Sequence, residues 1–579
     1  MVEPELTGPD APAGPPGAPE LVPPELLGPG WGWSVPPDGG ATSSGPRWRR
    51  VLLALVAIVA AATMVVHLLP APLAPGPDRT SAASQSGAVT VLAGEPASID
   101  PAHHGDLGSA QYVSQLFETL TSVDPKLNIR PALAASWQVG DNGTKVTFTL
   151  RDNLAFSDGS PLTASDVVHS WRRLFTQKDP SPLASLIGDM KGARELLSGQ
   201  STDTSTLGVS APDDTTVVVD MVQGGGNLPA IVSSAPFAVV PSSVGDGEFS
   251  PAPGTMVGSG SYTLASVTKD VWTLKANPHY WAGKPAVDTV RMLLTINGKS
   301  PVDTFSAGDI GVSPISFTDA SWIAYDRQLG PSLREDPDLS VTYYGFETRK
   351  GPFADVRVRQ AFAAAIDWRR LARLQDPLNS APATGMVPAG MPGQPTGDFV
   401  PAFDVAKAKQ LLAEAGHPNG QGLPTVTFIG GGGGGSDAQI VAMLKANLGV
   451  TVAYQTMDFG PYQQRLATDP PDIWSISWVA DYPGPNDFLG VLLGTGSTAN
   501  QGGWSNADFD AAIAQGTSAS DPAVALAAYT KAEQIIGDQV PVVPVSYGRS
   551  WSLVADGLLG AAQNGTGILR LAGLAWSGQ

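Results

Sequence analysis

The sequence contains no cysteine among its 579 residues. That absence excludes disulfides, thiolate catalysis, cysteine–zinc sites and a lipid-modified cysteine anchor. Histidine is scarce, six in all (His67, His103, His104, His169, His279 and His417). None sits in a His-Glu-x-x-His arrangement, and no Gly-x-Ser-x-Gly nucleophile elbow occurs. The adjacent pair His103-His104 lacks the third imidazole or carboxylate at defined spacing that metal sites add. Charge is sparse, at 15% of residues, and lopsided, with 34 Lys and Arg against 53 Asp and Glu. The resulting net charge of −19 argues against nucleic acid and anionic lipid as partners of the soluble part. The paired carboxylates Asp213-Asp214 and Glu335-Asp336 read as solvated surface. No catalytic constellation, metal site or cofactor site is expected, and the chain reads as a non-enzyme.

What is present is organised in segments. Residues 1–46 are rich in Pro and Gly, acidic and free of Lys and Arg. They cannot bury a core and are expected to be a disordered tail. Arg47, Arg49 and Arg50 then flank Val51–Leu69, 19 residues without a formal charge, enough for a helix to cross about 30 Å of hydrocarbon. Arginines on the N-terminal side predict a cytoplasmic N-terminus and an extracytoplasmic bulk. A cleaved signal peptide is the competing reading. The length of the run and of the segment before it favours an uncleaved single-pass anchor. His67 reads as interfacial. A Pro/Ala/Ser linker follows over 70–87, and the folded part starts near Ala88.

Hydrophobic content of 42% suits a globular protein, and the length exceeds what one core holds, so two or more lobes are expected. The pattern predicts strands at Ala88–Gly94, Thr144–Arg151, Thr215–Met221, Ser259–Leu264, Trp272–Lys275, Arg291–Ile296 and Ser340–Phe346. Helices are predicted at Gln111–Leu120 and behind a capping box of Thr163 and Asp166, with Val167, Trp171, Leu174 and Phe175 buried and His169 solvated. Tyr280 and Trp281 read as packing anchors. Further helices are predicted at Asp355–Ile366, Asp404–Ala415 and Ala523–Ile536. Thr425–Ile429, Asp437–Leu448 and Val450–Tyr454 form a strand–helix–strand unit, hence a parallel sheet. The glycine run Gly430–Gly435 before that helix invites a phosphate-binding reading. Without a following Lys and Ser or Thr, a loop is the better one. Val540–Tyr547 reads as a strand near an edge, because prolines interrupt it.

The stretch Pro471–Gly490 organises the rest. Ile473–Val479 alternates, with Trp474, Ile476 and Trp478 on one face and Ser475 and Ser477 on the other, which is a strand. It runs into Ala480-Asp481 and then Tyr-Pro-Gly-Pro-Asn, a forced turn. Asp481 thus ends a buried strand, where open α/β sheets hold ligands. A carboxylate there is placed to accept hydrogen bonds from a cation. The competing role is capping the next short helix or satisfying turn amides.

Seven stretches, in order, carry a resemblance. They are GEPASIDP; LAASWQVGDNGTKVTFTLRDNLAFSDGSPLTASDVVHSWRR; GSGSYTL with WTLKANPHYWAGKP; YYGFETRKGPFADVRVRQAFAAAID; FDVAKAKQLLAEAGHPNG; WVADYPGPNDFL; and WSNADFDAAI with AEQIIGDQVPVVPV. From about Ala88 onward the chain resembles the family 5 extracellular solute-binding proteins of bacterial ABC importers, the oligopeptide- and dipeptide-binding type. It departs in having no lipoprotein cysteine, in carrying Glu347 where the family usually has Asn, and in a short, weakly matched 298–338. The resemblance implies a two-lobed α/β clamshell of the large, type II, peptide-binding class, with an extra subdomain on the first lobe. The solute-binding domain is expected over 88–579. Lobe I would take about 88–130, 250–340 and 545–579, the subdomain 131–249, and lobe II about 341–544. It also implies that Asp481 pairs with a peptide's α-amino group, with Tyr482, Trp478, Trp504 and Glu95 as further cleft candidates. For the two tryptophans a core position competes.

The implied function is capture of oligopeptides or dipeptides and their delivery to an ABC permease with its ATPase subunits. The chain would act as a monomer anchored by Val51–Leu69, its binding domain at the cell surface or in the periplasm. Two alternatives stay open: the same fold with an oligosaccharide, nickel or haem cargo, or a transport-deficient envelope or signalling protein.

Overall fold

Alternating apolar residues at Ala88–Leu92, Thr289–Leu293 and Val271–Ala276 bury one side chain in two, as strands covered on one face do. In the computed structural model these strands join a sheet that spans most of the chain. The structure describes residues 87–578 except 141, 142, 177–179, 182, 376–381, 432–435, 498 and 520. The expected tail, the Val51–Leu69 span and nearly all of the linker lie outside the described residues, as do most of the glycine run and two residues of the turn before Thr144. No described helix is long and apolar enough to cross a membrane.

In chain order the strands are β1 Ala88–Leu92, β2 Thr121–Val123, β3 Ile129–Pro131, β4 Ala134–Gly140, β5 Lys145–Leu150, β6 Val209–Asp213 and β7 Thr216–Asp220. They continue with β8 Tyr262–Val267, β9 Val271–Ala276, β10 Thr289–Leu293, β11 Val312–Ile315, β12 Leu333–Phe346, β13 Val426–Gly431 and β14 Val452–Met457. The last are β15 Ile473–Val479, β16 Val542–Val554, β17 Leu558–Leu559 and β18 Ala575–Trp576. A ten-stranded sheet runs β14-β13-β15-β12-β16-β11-β1-β10-β9-β8, and a four-stranded antiparallel sheet runs β4-β5-β7-β6.

The long strands β12 and β16 join the two halves of the large sheet. Leu333–Pro337 pair with Leu553–Arg549, and Val341–Gly345 pair with Tyr547–Val542, with a register shift between Pro337 and Val341. Of these two stretches of β12, β15 pairs with the second, from Ser340 to Phe346. On β16, β11 pairs with the far end, from Val554 to Trp551. β13 and β14 are parallel, joined by the helix Asp437–Leu448, which ends at Gly449 in the left-handed region (φ 71°).

Separate apolar clusters pack against these layers. One gathers Val146, Phe148, Val167, Trp171, Val217 and Phe237 around the four-stranded sheet. A second gathers Val89, Tyr112, Leu274, Val290, Leu571 and Leu574. Two more, around Phe362 with Phe428 and around Trp474 with Phe488, flank β12 to β15.

Three local expectations change. The helix expected over Gln111–Leu120 runs Leu107–Leu116, because Asp106 caps it by accepting from the Ser109 amide at 2.9 Å. Its end is closed by the Gly260 amide on Leu116 O at 3.0 Å. β16 is interior rather than near an edge. Pro541 precedes the strand, and Pro544 falls at a second register shift, where a missing N–H costs the ladder little. His169 is half-buried, its Nε2 2.8 Å from Val244 O. The Thr163 capping box forms, with Asp166 Oδ2 2.9 Å from the Thr163 amide.

Gly345 shows how tightly the strand that carries Asp481 is seated. It faces Trp474 across the ladder, and a Cβ on it would lie 2.1 Å from the Trp474 ring. Trp474 is itself buried and edge-on to Tyr343 at 5.7 Å. Gly345→Ala is expected to destabilise the chain by about 1–3 kcal/mol through overpacking. Urea unfolding checks this; an unchanged midpoint would mean that the ring relaxes freely.

Candidate functional site

β15 delivers Asp481 to the wall of a cavity of about 310 Å³. Several parts of the chain meet there. Trp478–Asp481 come from the end of β15 and the two residues after it, His104–Asp106 from the turn before the helix Leu107–Leu116, Leu107, Ala110 and Ser114 from that helix, and Ser233–Pro236 from the segment before Phe237. Asn564, Thr566, Ile568 and Arg570, with Ser122, Val123 and Leu183, also line it.

The end of β15 is held from several sides. The Ala480 amide donates to Leu339 O at 2.8 Å, and Leu339 in turn donates to Gly565 O at 2.7 Å. Ser234 Oγ donates to Asp481 O at 2.6 Å. Asp487, fully buried, accepts on Oδ2 from the Asp481 amide and from Trp478 Nε1, both at 3.1 Å. Its Oδ1 meets no partner among the described residues. Burial, and then the Asp481 charge, raise the Asp487 carboxyl well above the usual carboxylate range. This favours the neutral acid.

Asp481 is half-buried, and its side chain does not cap the short helix Pro485–Phe488, whose N-cap is Gly484. Burial pushes its carboxyl up to about 6, with no counter-charge acting against the shift. Other charges around the cavity are spent. Arg570 donates to both Glu118 oxygens at 2.9 Å, and Tyr280 Oη donates to Glu118 Oε2 at 2.5 Å. Asp106 is occupied by the Ser109 amide and hydroxyl, at 2.9 and 2.6 Å.

The other sequence candidates fall in different places. Trp478 lines the cavity beside Asp481. Tyr482, in the turn after β15, does not line the cavity. It is 1% exposed in the cluster around the four-stranded sheet, its hydroxyl 3.0 Å from Asn486 Nδ2. Trp504 is packed on Phe509 at 5.0 Å, inside the cluster around Trp474. Glu95 is exposed and does not line the cavity. Glu347 is buried away from it, paired internally with Arg349 at 2.5 and 2.9 Å. The phosphate reading of the glycine run meets a filled position. Asp437, in the first turn of its helix, accepts from Tyr344 Oη at 2.7 Å and Tyr454 Oη at 2.9 Å, supplying the negative charge that a helix N-terminus attracts. Arg570, Ser234 and Asn564 lie in none of the quoted stretches, and their position here comes from long-range folding; Asp487 lies within WVADYPGPNDFL, but only its hydrogen bonds show what it does.

Asp487→Ala is expected to strand the Trp478 and Asp481 donors, at about 1–3 kcal/mol for each. Asp487→Asn keeps an acceptor oxygen and is expected to stay within about 1 kcal/mol of wild type, since the acid it replaces is neutral. Urea unfolding of both variants at neutral pH checks this; equal loss in both would remove the neutral-acid role.

Residues 128–500 match the family described as bacterial extracellular solute-binding proteins, family 5 middle. The periplasmic murein peptide-binding protein MppA of Escherichia coli K12 is 32% identical over 499 residues, which are 84% of this chain and 92% of that protein. The deoxycholate-binding periplasmic protein YgiS of the same organism, whose assignment is given as probable, is 30% identical over 86% and 94% of the two chains. A solved structure of the Escherichia coli murein tripeptide binding protein MppA superposes with a TM-score of 0.72 at 28% identity, covering 84% of this chain and 98% of that one. The fold is thus the two-domain α/β fold of periplasmic binding proteins, and the family is one of binding proteins rather than enzymes. This chain belongs to the bacterial extracellular solute-binding proteins of family 5.

Proposed function

We propose that this protein captures short peptides by their α-amino group on Asp481 and presents them to an ABC permease, tethered to the membrane through Val51–Leu69. The observation that carries this reading is Asp481 itself, a half-buried carboxylate on a cavity wall whose charge nothing nearby offsets. Such a group is costly to ionise until a cation arrives. A peptide ammonium supplies that cation, and strand-like hydrogen bonds to the peptide backbone add affinity without reading side chains. The names of MppA and of its solved structure, murein peptide- and tripeptide-binding, support a peptide cargo. Deoxycholate carries a carboxylate, which Asp481 would repel.

Lobe I is assigned to about 88–130, 250–340 and 545–579, the subdomain to 131–249, and lobe II to about 341–544. The separate apolar clusters support this division. Closure of the lobes over the ligand yields the form that a permease reads. Trp478 is retained as a side wall of the ammonium site. Tyr482 and Trp504 act through packing, and Glu95 is reached by the ligand only on closure. The protein works as an extracytoplasmic monomer.

Native mass spectrometry of the full-length protein tests the reading. Wild type is expected to carry a spread of co-purified peptides that Asp481→Asn loses, since truncating one partner of a desolvated charge pair costs about 2–5 kcal/mol. Peptides retained equally by both would discard Asp481 as the anchor, and a wild type that carries none and binds none when supplied would discard the peptide cargo. Affinity should also depend on pH. Below about 6 the carboxyl is neutral and holds the ammonium poorly, so affinity falls about tenfold between pH 7 and pH 5, whereas Asp481→Asn shows no such slope. The empty protein should respond in the opposite sense. A carboxyl raised in the folded state contributes stability that is present at low pH and lost as pH rises through about 6.

A further inference from the structure

The turn that leads from β1 into the helix Leu107–Leu116 is pinned by one carboxylate. Asp100 is fully buried and accepts from Arg173 at 3.0 and 2.7 Å, from the Ala102 amide at 2.9 Å and from the Phe249 amide at 3.2 Å. His103 Nδ1 lies 3.1 Å from it. The amides of His103 and His104 both donate to Asp100 O, at 3.0 and 3.1 Å. A turn tied at so many points cannot shift to suit the side chain at its end.

That side chain is His104. It is 3% exposed and lies on the cavity wall, and neither ring nitrogen meets a partner among the described residues. Buried polar groups in folded proteins nearly always find partners, and an apolar side chain would fill this space without stranding two polar atoms. No group of three metal-ligating side chains gathers among the described residues. Burial lowers its pKa to about 4, against the pull of Asp106 and Asp100. At neutral pH the ring is therefore uncharged, with one nitrogen a donor and the other an acceptor.

We propose that His104 is a second ligand contact, its ring N–H donating to an oxygen of the peptide whose ammonium Asp481 holds. The oxygen is a backbone carbonyl or the terminal carboxylate, which present the same acceptor. This assignment rests on the peptide reading of the cavity. It gives the ligand one point of attachment on the end of β15 and another on the turn after β1, so a bound peptide ties together elements from the two halves of the large sheet.

The test uses the full-length protein and a synthetic pool of random tripeptides, with free or amidated C-termini, read by native mass spectrometry. His104→Phe is expected to keep or raise the melting temperature while weakening the pool roughly three- to tenfold, the worth of one hydrogen bond. His104→Gln, which retains a donor, is expected to recover part of the loss. Equal weakening of both pools assigns the backbone carbonyl, and weakening of the free-carboxylate pool alone assigns the terminus. His104→Ala, which only removes atoms, carries the test if the Phe ring is not accommodated. Undiminished binding by the folded variant, with wild type binding the pool, overturns the role of His104 alone. A wild type that binds neither pool overturns the peptide reading and this assignment with it.

Discussion

The pairing of β12 with β16 decides where everything else stands. Each is long enough to belong to both halves of the large sheet, and their register shifts between Pro337 and Val341. Before the shift β16 offers its far end to β11; after it β12 offers its edge to β15. Asp481, at the end of β15, therefore reaches the cavity at a position set by this one antiparallel ladder. The Ala480 amide, bonded to Leu339 O within the shift, fixes that end directly. A slip by one residue would turn every side chain of the strand to the other face.

Charge in and behind the cavity wall is settled pair by pair, and Asp481 stands out against that background. Glu118 is matched by Arg570 and Tyr280, Asp100 by Arg173, and Asp106 by the capped helix end. Asp487 resolves its burial by favouring the neutral acid. A carboxylate that burial has raised to about 6 stores a preference for a cation, which is chemically useful in a receptor. The same logic covers His104, whose two ring nitrogens meet no partner among the described residues, on a turn too well pinned to hide them. On the proposed reading, preorganised groups of this kind would strengthen binding by avoiding reorganisation when a peptide arrives.

Family membership determines the scaffold more than the cargo, since a shared fold hosts different sites. MppA and YgiS, named for a murein peptide and for deoxycholate, match this chain at similar identity. The replacement at Glu347 is absorbed by its own neighbour Arg349 and leaves the cavity untouched.

Much was legible along the chain. Period-two runs marked β1, β5, β7, β9, β12 and β15, and the Asp404 cap with Gly416 and Pro418 as its stop marked the helix Val405–Glu414, because these signals are local. The end of the Leu107–Leu116 helix was not legible, since Gly260, far away in sequence, closes it. Neither was the interior place of β16, where a register shift accommodates Pro544. Among the candidates, Asp481 was visible because a strand followed by a forced turn places the residues just after it at a sheet end. Tyr482 and Trp504 showed the residue types of a cleft, but packing partners, which periodicity does not encode, put them in the core. The sequence by itself determined the element types, the binding-protein family and the carboxylate at the end of β15, since each follows from local patterning or ordered motifs. Only the tertiary structure decided that His104, Ser234, Asn564 and Arg570 share a cavity with it, because those contacts depend on long-range pairing that no local pattern specifies.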